Sequence, residues 1–126
     1  MNKFNLNFIC TELIDTFFKA GEKCIFLRNK GLKTEYKNDN TPVSNGDIEV
    51  NKLLTKKIQT LTPNLPIVSE ESSNNKDNNN LENFWLIDPI DGTYDYINGG
   101  SEFTINAALI LNKRPELGVI YAPAKK

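Results

Sequence analysis

The chain has 126 residues, 15 of them basic and 16 acidic, for a net charge of −1, and 39% are apolar. Such a balance supplies no field to steer the chain toward nucleic acid or an anionic membrane, and the length suits one domain. It contains no histidine, which excludes Ser-His-Asp and Cys-His catalysis and histidine-rich zinc sites within the chain.

From Asn5 to Lys30, Ile9, Leu13, Phe17, Ala20, Cys24 and Leu27 recur every three or four residues, which predicts one long helix stopped by Gly31. Gly21 weakens its middle slightly. Cys10 and Cys24 then lie about 21 Å apart along the axis, beyond disulfide reach, and read as small apolar side chains. Free thiols and the lack of a signal peptide point to the cytoplasm. No apolar stretch is long enough to span a membrane, although peripheral attachment to the inner membrane stays open.

Thr34 to Asn40 reads as extended and polar, and Thr41-Pro42 keeps the chain extended. Ser44 and Asp47 form an acidic variant of the capping box. They open a second helix that runs to Leu61, with Val50, Leu53, Leu54, Ile58 and Leu61 on its buried face. Thr62-Pro63 ends it. A short strand follows over Leu65 to Ser69, and an asparagine-rich surface loop over residues 72–83.

Phe84 to Ile87 reads as a short buried strand. Asp88 to Gly100 is turn-rich, with one short helix opening near Thr93. Phe103, Ile105, Ala107, Leu109 and Leu111 alternate on one face of a further strand, and Glu116 to Ala122 forms the next. Asn112-Lys113-Arg114 makes these two a hairpin. Helices followed by strands give an α+β or layered α-β-α arrangement with a mostly antiparallel sheet.

Three acidic segments stand out. Asp88-Pro89-Ile90-Asp91-Gly92-Thr93 follows a strand, and a turn could aim both carboxylates at one point. Mg²⁺ takes oxygen ligands of this kind, together with phosphate and water. The bland alternative is a capped turn with Asp91 in an Asx-turn. Glu70-Glu71 on its own is solvated surface. If strands 65–69 and 84–87 are neighbours, however, Glu70 falls beside Asp88. Asp47 on its own is a first-turn acid that suits the helix dipole. Lys37 and Asp39 are ordinary surface charges.

Together the segments run Lys37-Asn38-Asp39-Asn40-Thr41-Pro42-Val43-Ser44-Asn45-Gly46-Asp47, then Ser69-Glu70-Glu71, then Trp85 through Thr93. This order and spacing resemble the inositol monophosphatase-like, lithium-sensitive phosphatase superfamily. Thr60 through Glu71, Glu102 through Ile110 and Gly118 through Pro123 look like its CysQ-type 3′(2′),5′-bisphosphate nucleotidases, while inositol monophosphatases usually differ after the DGT. The resemblance covers nearly the whole chain.

The resemblance implies Mg²⁺-dependent hydrolysis of adenosine 3′,5′-bisphosphate to AMP and phosphate in the cytoplasm, using two or more Mg²⁺. Glu70, Asp88, the Ile90 carbonyl and Asp91 would hold the ions. Glu70, Ile90, Asp91, Gly92 and Thr93 would meet the substrate phosphate. Asp47, Thr93 and Glu70 would be the catalytic set, with Asp47 holding the Thr93 hydroxyl so that it orients the attacking water. Gly46 stands where alanine is common, and should loosen the helix start by about 0.5–1 kcal/mol.

Family members continue into a second α/β region carrying a further metal-binding aspartate. Residues 1–126 are therefore expected to be an N-terminal metal-binding domain without its C-terminal domain. The partners expected are a phosphorylated nucleotide and a separate C-terminal half or a second copy in a homodimer. A non-catalytic remnant and an inositol monophosphatase are the competing readings.

Overall fold

The computed structural model describes residues 4–69 and 81–125. Helix α1 spans Leu6–Lys30, with Asn5 as N-cap; its side-chain oxygen accepts from the Phe8 N–H at 3.0 Å. Gly31 closes the helix, and its N–H donates to the Arg28 carbonyl at 3.1 Å. The expected apolar face is buried, except that Leu27 is only half-buried. Cys10 and Cys24 are free thiols; Cys24 is buried and Cys10 half-buried.

Strands β1 (Thr34–Tyr36) and β2 (Pro42–Ser44) form a small antiparallel ribbon. The extended segment expected to reach Asn40 stops at Tyr36. There the chain turns: the Lys37 N–H donates to the Thr41 carbonyl at 2.9 Å, and Asn40 takes φ 66°. Asp39 caps this turn by accepting from the Thr41 hydroxyl at 2.6 Å and N–H at 3.1 Å, which holds its carboxyl below its ordinary pKa.

Helix α2 spans Asn45–Leu61 and opens on the expected capping box. Val50, Leu54 and Ile58 face α1 and the sheet, with Leu53 and Leu61 at the margin. Thr62 ends the helix and takes a second role. Its hydroxyl donates to the Ile58 carbonyl at 2.9 Å and accepts from the Trp85 indole N–H at 3.0 Å. The chain's one tryptophan is thereby buried with its donor satisfied.

Strands β3 (Ile67–Ser69), β4 (Phe84–Asp91), β5 (Thr104–Leu111) and β6 (Arg114–Tyr121) form one sheet in that order. β3 pairs parallel with β4; the other pairs are antiparallel. The short helix α3 (Thr93–Ile97) connects β4 to β5. The result is the expected α+β arrangement with a mostly antiparallel sheet. Ile105, Ala107, Leu109 and Leu111 are all buried in the core shared with α1 and α2.

β3 begins at Ile67 rather than Leu65 and β5 at Thr104 rather than Phe103, and the other two strands differ more. β4 runs on to Asp91 rather than ending at Ile87, because the DPID segment keeps pairing with β5 through a bulge. It is also buried on one side only: Trp85 and Ile87 face the core, whereas Leu86 is 49% exposed. β6 begins at Arg114 rather than Glu116. Asn112 and Lys113 take φ 52° and 63°, the left-handed pair of a two-residue type I′ turn, so pairing starts directly after them. Most of the expected asparagine-rich loop lies outside the described residues; residues 81–83 precede β4 without regular structure. Among the described residues no helix is long and apolar enough to cross a membrane, and nothing supports attachment to the inner membrane.

Candidate active site

The described residues of the segments expected to act together come from the start of α2, the end of β3, the end of β4 and the start of α3. Asp47 is 1% exposed, yet both its carboxylate oxygens are hydrogen-bonded. Oδ2 accepts from the Ser44 N–H at 2.9 Å and the Ser44 hydroxyl at 2.6 Å. Oδ1 accepts from the Thr93 hydroxyl at 2.7 Å. Asp47 is thus the helix-capping acid of the bland reading, and its second oxygen also reaches across to α3. A buried carboxylate is tolerated when its oxygens are bonded in this way.

Asp88 and Asp91 are brought together differently from the turn expected. In a regular strand, residues three apart fall on opposite faces. Here Asp88 lies opposite Asn106 and Asp91 opposite Thr104, so one extra residue sits in β4 between them. Thr104 and Asn106 share a face of β5, and the bulge therefore returns Asp91 to the side of Asp88. Burial marks the phase change: Trp85, Ile87, Pro89 and then Ile90 are buried, while Asp91 is exposed. Pro89 costs little here because a bulge needs no ladder N–H from it.

Gly92 follows with φ 89° and ψ 39°, in the left-handed region. A Cβ there would lie 3.0 Å from the Glu102 carbonyl oxygen and 3.3 Å from the Phe103 Cα, so glycine answers both the dihedral and the close approach. Thr93 is the first residue of α3. Its hydroxyl lies 2.7 Å from Asp47 Oδ1 and 3.1 Å from the Ile90 carbonyl oxygen. It has one proton, and the shorter, charge-assisted bond to the carboxylate is the stronger.

β3 and β4 are neighbours, as the argument for Glu70 required, with Ser69 opposite Ile87. The Ser69 hydroxyl donates to the Asn51 side-chain oxygen at 2.6 Å, tying the end of β3 to α2. Glu70 and Glu71 themselves lie outside the described residues. Among the described residues no group of three or more carboxylate, thiol or imidazole side chains comes together. Asp88 and Asp91 offer oxygen donors alone, which suits a hard cation.

Two residues beside this region were not singled out from the sequence. Arg28 Nη1 donates to the Gly100 carbonyl at 2.6 Å and the Tyr96 carbonyl at 3.2 Å, pinning the C-terminal end of α3 to α1. The Tyr96 hydroxyl donates to the Cys24 carbonyl at 2.6 Å, and burial raises its pKa well above the ordinary tyrosine range. Arg28 carried no signal in the sequence beyond its place near the end of α1. Tyr96 carried one signal, its position three residues after Thr93 on a helix.

Residues 6–126 match the inositol monophosphatase family. The chain belongs to that family. Among curated relatives, it is 40% identical over 134 aligned positions to the 3′(2′),5′-bisphosphate nucleotidase CysQ of Buchnera aphidicola, covering 98% of this chain and 51% of that protein. It is 37% identical over 114 positions to CysQ of Aggregatibacter actinomycetemcomitans, covering 89% of this chain and 42% of the relative. This family member thus spans about half the length of those relatives.

Solved family structures share the fold. An inositol monophosphatase of Thermotoga maritima superposes with TM-score 0.78 at 29% identity, over 88% of this chain and 42% of that one. An inositol monophosphatase/NADP phosphatase complexed with Mg²⁺ and phosphate superposes with TM-score 0.76 at 24% identity, over 91% and 44%. The Mg²⁺ and the phosphate belong to that protein.

Proposed function

We propose that this chain is the N-terminal metal-binding part of a Mg²⁺-dependent phosphomonoesterase acting on adenosine 3′,5′-bisphosphate, giving AMP and phosphate. The observation that carries this reading is the Asp47–Thr93 bond beside a bulge that sets Asp88 and Asp91 on one side of the sheet. The nucleotidase names of the curated relatives favour a bisphosphate nucleotide over inositol phosphate. The free thiols Cys10 and Cys24 support a reducing, cytoplasmic setting.

The residues fit hard cations. Asp88 and Asp91 would hold them, with Glu70 and the Ile90 carbonyl, and two or more Mg²⁺ are assigned. The ions supply neutralisation of the phosphoryl oxygens and a more acidic water. The remaining work falls to the chain. Thr93 directs its proton to Asp47, which leaves its oxygen lone pairs to accept from the attacking water and aim it at phosphorus. Asp47 is too buried to meet substrate and acts through Thr93. The backbone of Gly92 and Thr93 cradles the phosphate. The ester P–O bond would break as the water oxygen bonds to phosphorus, with one water proton passing to the leaving ribose oxygen and the other staying on the phosphate.

Phosphate release from adenosine 3′,5′-bisphosphate and from inositol monophosphate would be measured with Mg²⁺, with and without a supplied C-terminal half. Release from the nucleotide, greatest in the reconstituted pair, is the expected outcome. No release from either substrate by a folded pair would sink the reading and favour a non-catalytic remnant. The same mixtures, run on a sizing column, distinguish a two-part assembly from a homodimer.

A further inference from the structure

The bond between Asp47 and Thr93 has a neighbour across the same α2–α3 junction. One residue before Asp47 and three after Thr93, Gly46 meets Tyr96. A Cβ on Gly46 would lie 2.2 Å from the Tyr96 hydroxyl oxygen, 2.7 Å from Cε2 and 2.8 Å from Cζ. The first turn of α2 therefore rests its bare backbone on the tyrosine ring. Gly46 does more here than loosen a helix start.

Tyr96 cannot easily retreat. It is fully buried, and its hydroxyl donates to the Cys24 carbonyl on α1 at 2.6 Å. Its carbonyl accepts from Arg28, also on α1. Phe103 meets its ring edge-on at a centroid distance of 4.9 Å, and the Arg28 guanidinium lies 5.5 Å from the ring centroid. Helix α3 has only five residues, far too few to be stable alone. Its orientation is set by what holds it: two bonds to α1, the Thr93 bond and the Gly46 contact to α2, and the Asp95 carboxylate accepting from the Glu102 N–H. Thr93 and Tyr96 lie three apart on one helical face, so what fixes one fixes the other.

We propose that Gly46 and Tyr96 act as a spacer that sets the α2–α3 separation at which Thr93 Oγ1 reaches Asp47 Oδ1. Both are positioning residues; neither touches substrate. The importance of the spacer for hydrolysis rests on the phosphatase reading above, but its geometry does not.

The test compares the wild-type chain with Gly46→Ala, Tyr96→Phe and the double variant. The readouts are the melting temperature and the Thr93 χ1 rotamer, the latter from three-bond couplings of its methyl carbon to the backbone N and C′. In Gly46→Ala the couplings move from single-rotamer to averaged values, and melting drops by several degrees. In the double variant the ring is untied from Cys24 and can yield to the new methyl, so both readouts return toward wild type. Wild-type couplings in Gly46→Ala, however far its melting falls, would overturn the proposal, since the pair would then only pack. Should Gly46→Ala not fold, the double variant decides: a single Thr93 rotamer upholds the spacer, and averaging or failure to fold defeats it. If the couplings behave as expected but no variant of the reconstituted enzyme releases phosphate, the spacer stands and the catalytic reading falls.

Discussion

The Thr93 hydroxyl donates to Asp47 Oδ1 at 2.7 Å across 46 residues of chain, joining the first turn of α2 to the first residue of α3. Its partner oxygen, Oδ2, is held by the Ser44 N–H and hydroxyl. One side chain therefore fixes a helix start and a hydroxyl at once, and substitutions can separate the two duties.

Asp47→Asn keeps the shape but offers one acceptor oxygen where two are used. Either the Ser44 box or the Thr93 bond must then face an N–H. A loss of about 1–3 kcal/mol is expected, the scale for a buried polar group left without its partner. Urea unfolding followed by Trp85 fluorescence measures it; a midpoint within error of wild type would contradict the buried network.

Thr93→Val removes the hydroxyl and retains the shape, whereas Thr93→Ser retains the hydroxyl. In the reconstituted enzyme the valine variant should lose roughly 10²-fold in kcat, the scale for a reacting water left out of position, while serine recovers most of it. Equal loss in both variants would point to the methyl group and away from the hydroxyl.

Mg²⁺ should stabilise the chain by mass action, by about 2.7 kcal/mol at a hundredfold excess over its dissociation constant. Thermal melts with increasing Mg²⁺ should rise for wild type and stay flat for Asp88→Asn and Asp91→Asn. Parallel rises in all three proteins would remove the two aspartates from the cation site. Lithium inhibition of the reconstituted enzyme at limiting Mg²⁺ is the companion expectation from the family.

Burial pushes the Cys24 thiol up to about 12 from an ordinary 9.0, and raises Tyr96 as well. Both groups keep their protons in the folded state to higher pH than in the unfolded chain. The unfolded state thus binds fewer protons above pH 9.0, and stability should fall as pH rises from there toward 12. Tyr96→Phe and Cys24→Ala should each flatten that alkaline decline in urea midpoints. At pH 8 a thiol reagent should label half-buried Cys10 well before Cys24.

Much of this fold was legible because its signals are local. The 3.6-residue stripe of α1, the Ser44–Asp47 box and the strict alternation from Phe103 to Leu111 each name their element and its buried face. The candidate site was legible in its residue types and in the adjacency of β3 and β4. What the sequence hid is the means of convergence. A three-residue spacing suggested a turn, and only pairing with Thr104 and Asn106 reveals a bulge. The roles of Arg28 and Tyr96 depend on contacts 68 to 72 residues apart, which no local pattern encodes.

The single surplus residue in β4 makes this region sensitive to count as well as to chemistry. Gaining one codon between Thr104 and Asn106 in β5 would spare both aspartates, yet it would match the surplus residue and restore strict alternation along β4. Asp91 would then swing inward beside Trp85 and Ile87, where a carboxylate finds no solvent and no partner. The ladder would gain regularity while the acid pair dissolved, so a protein one residue longer would pair more evenly and lose the two carboxylates proposed to share a cation.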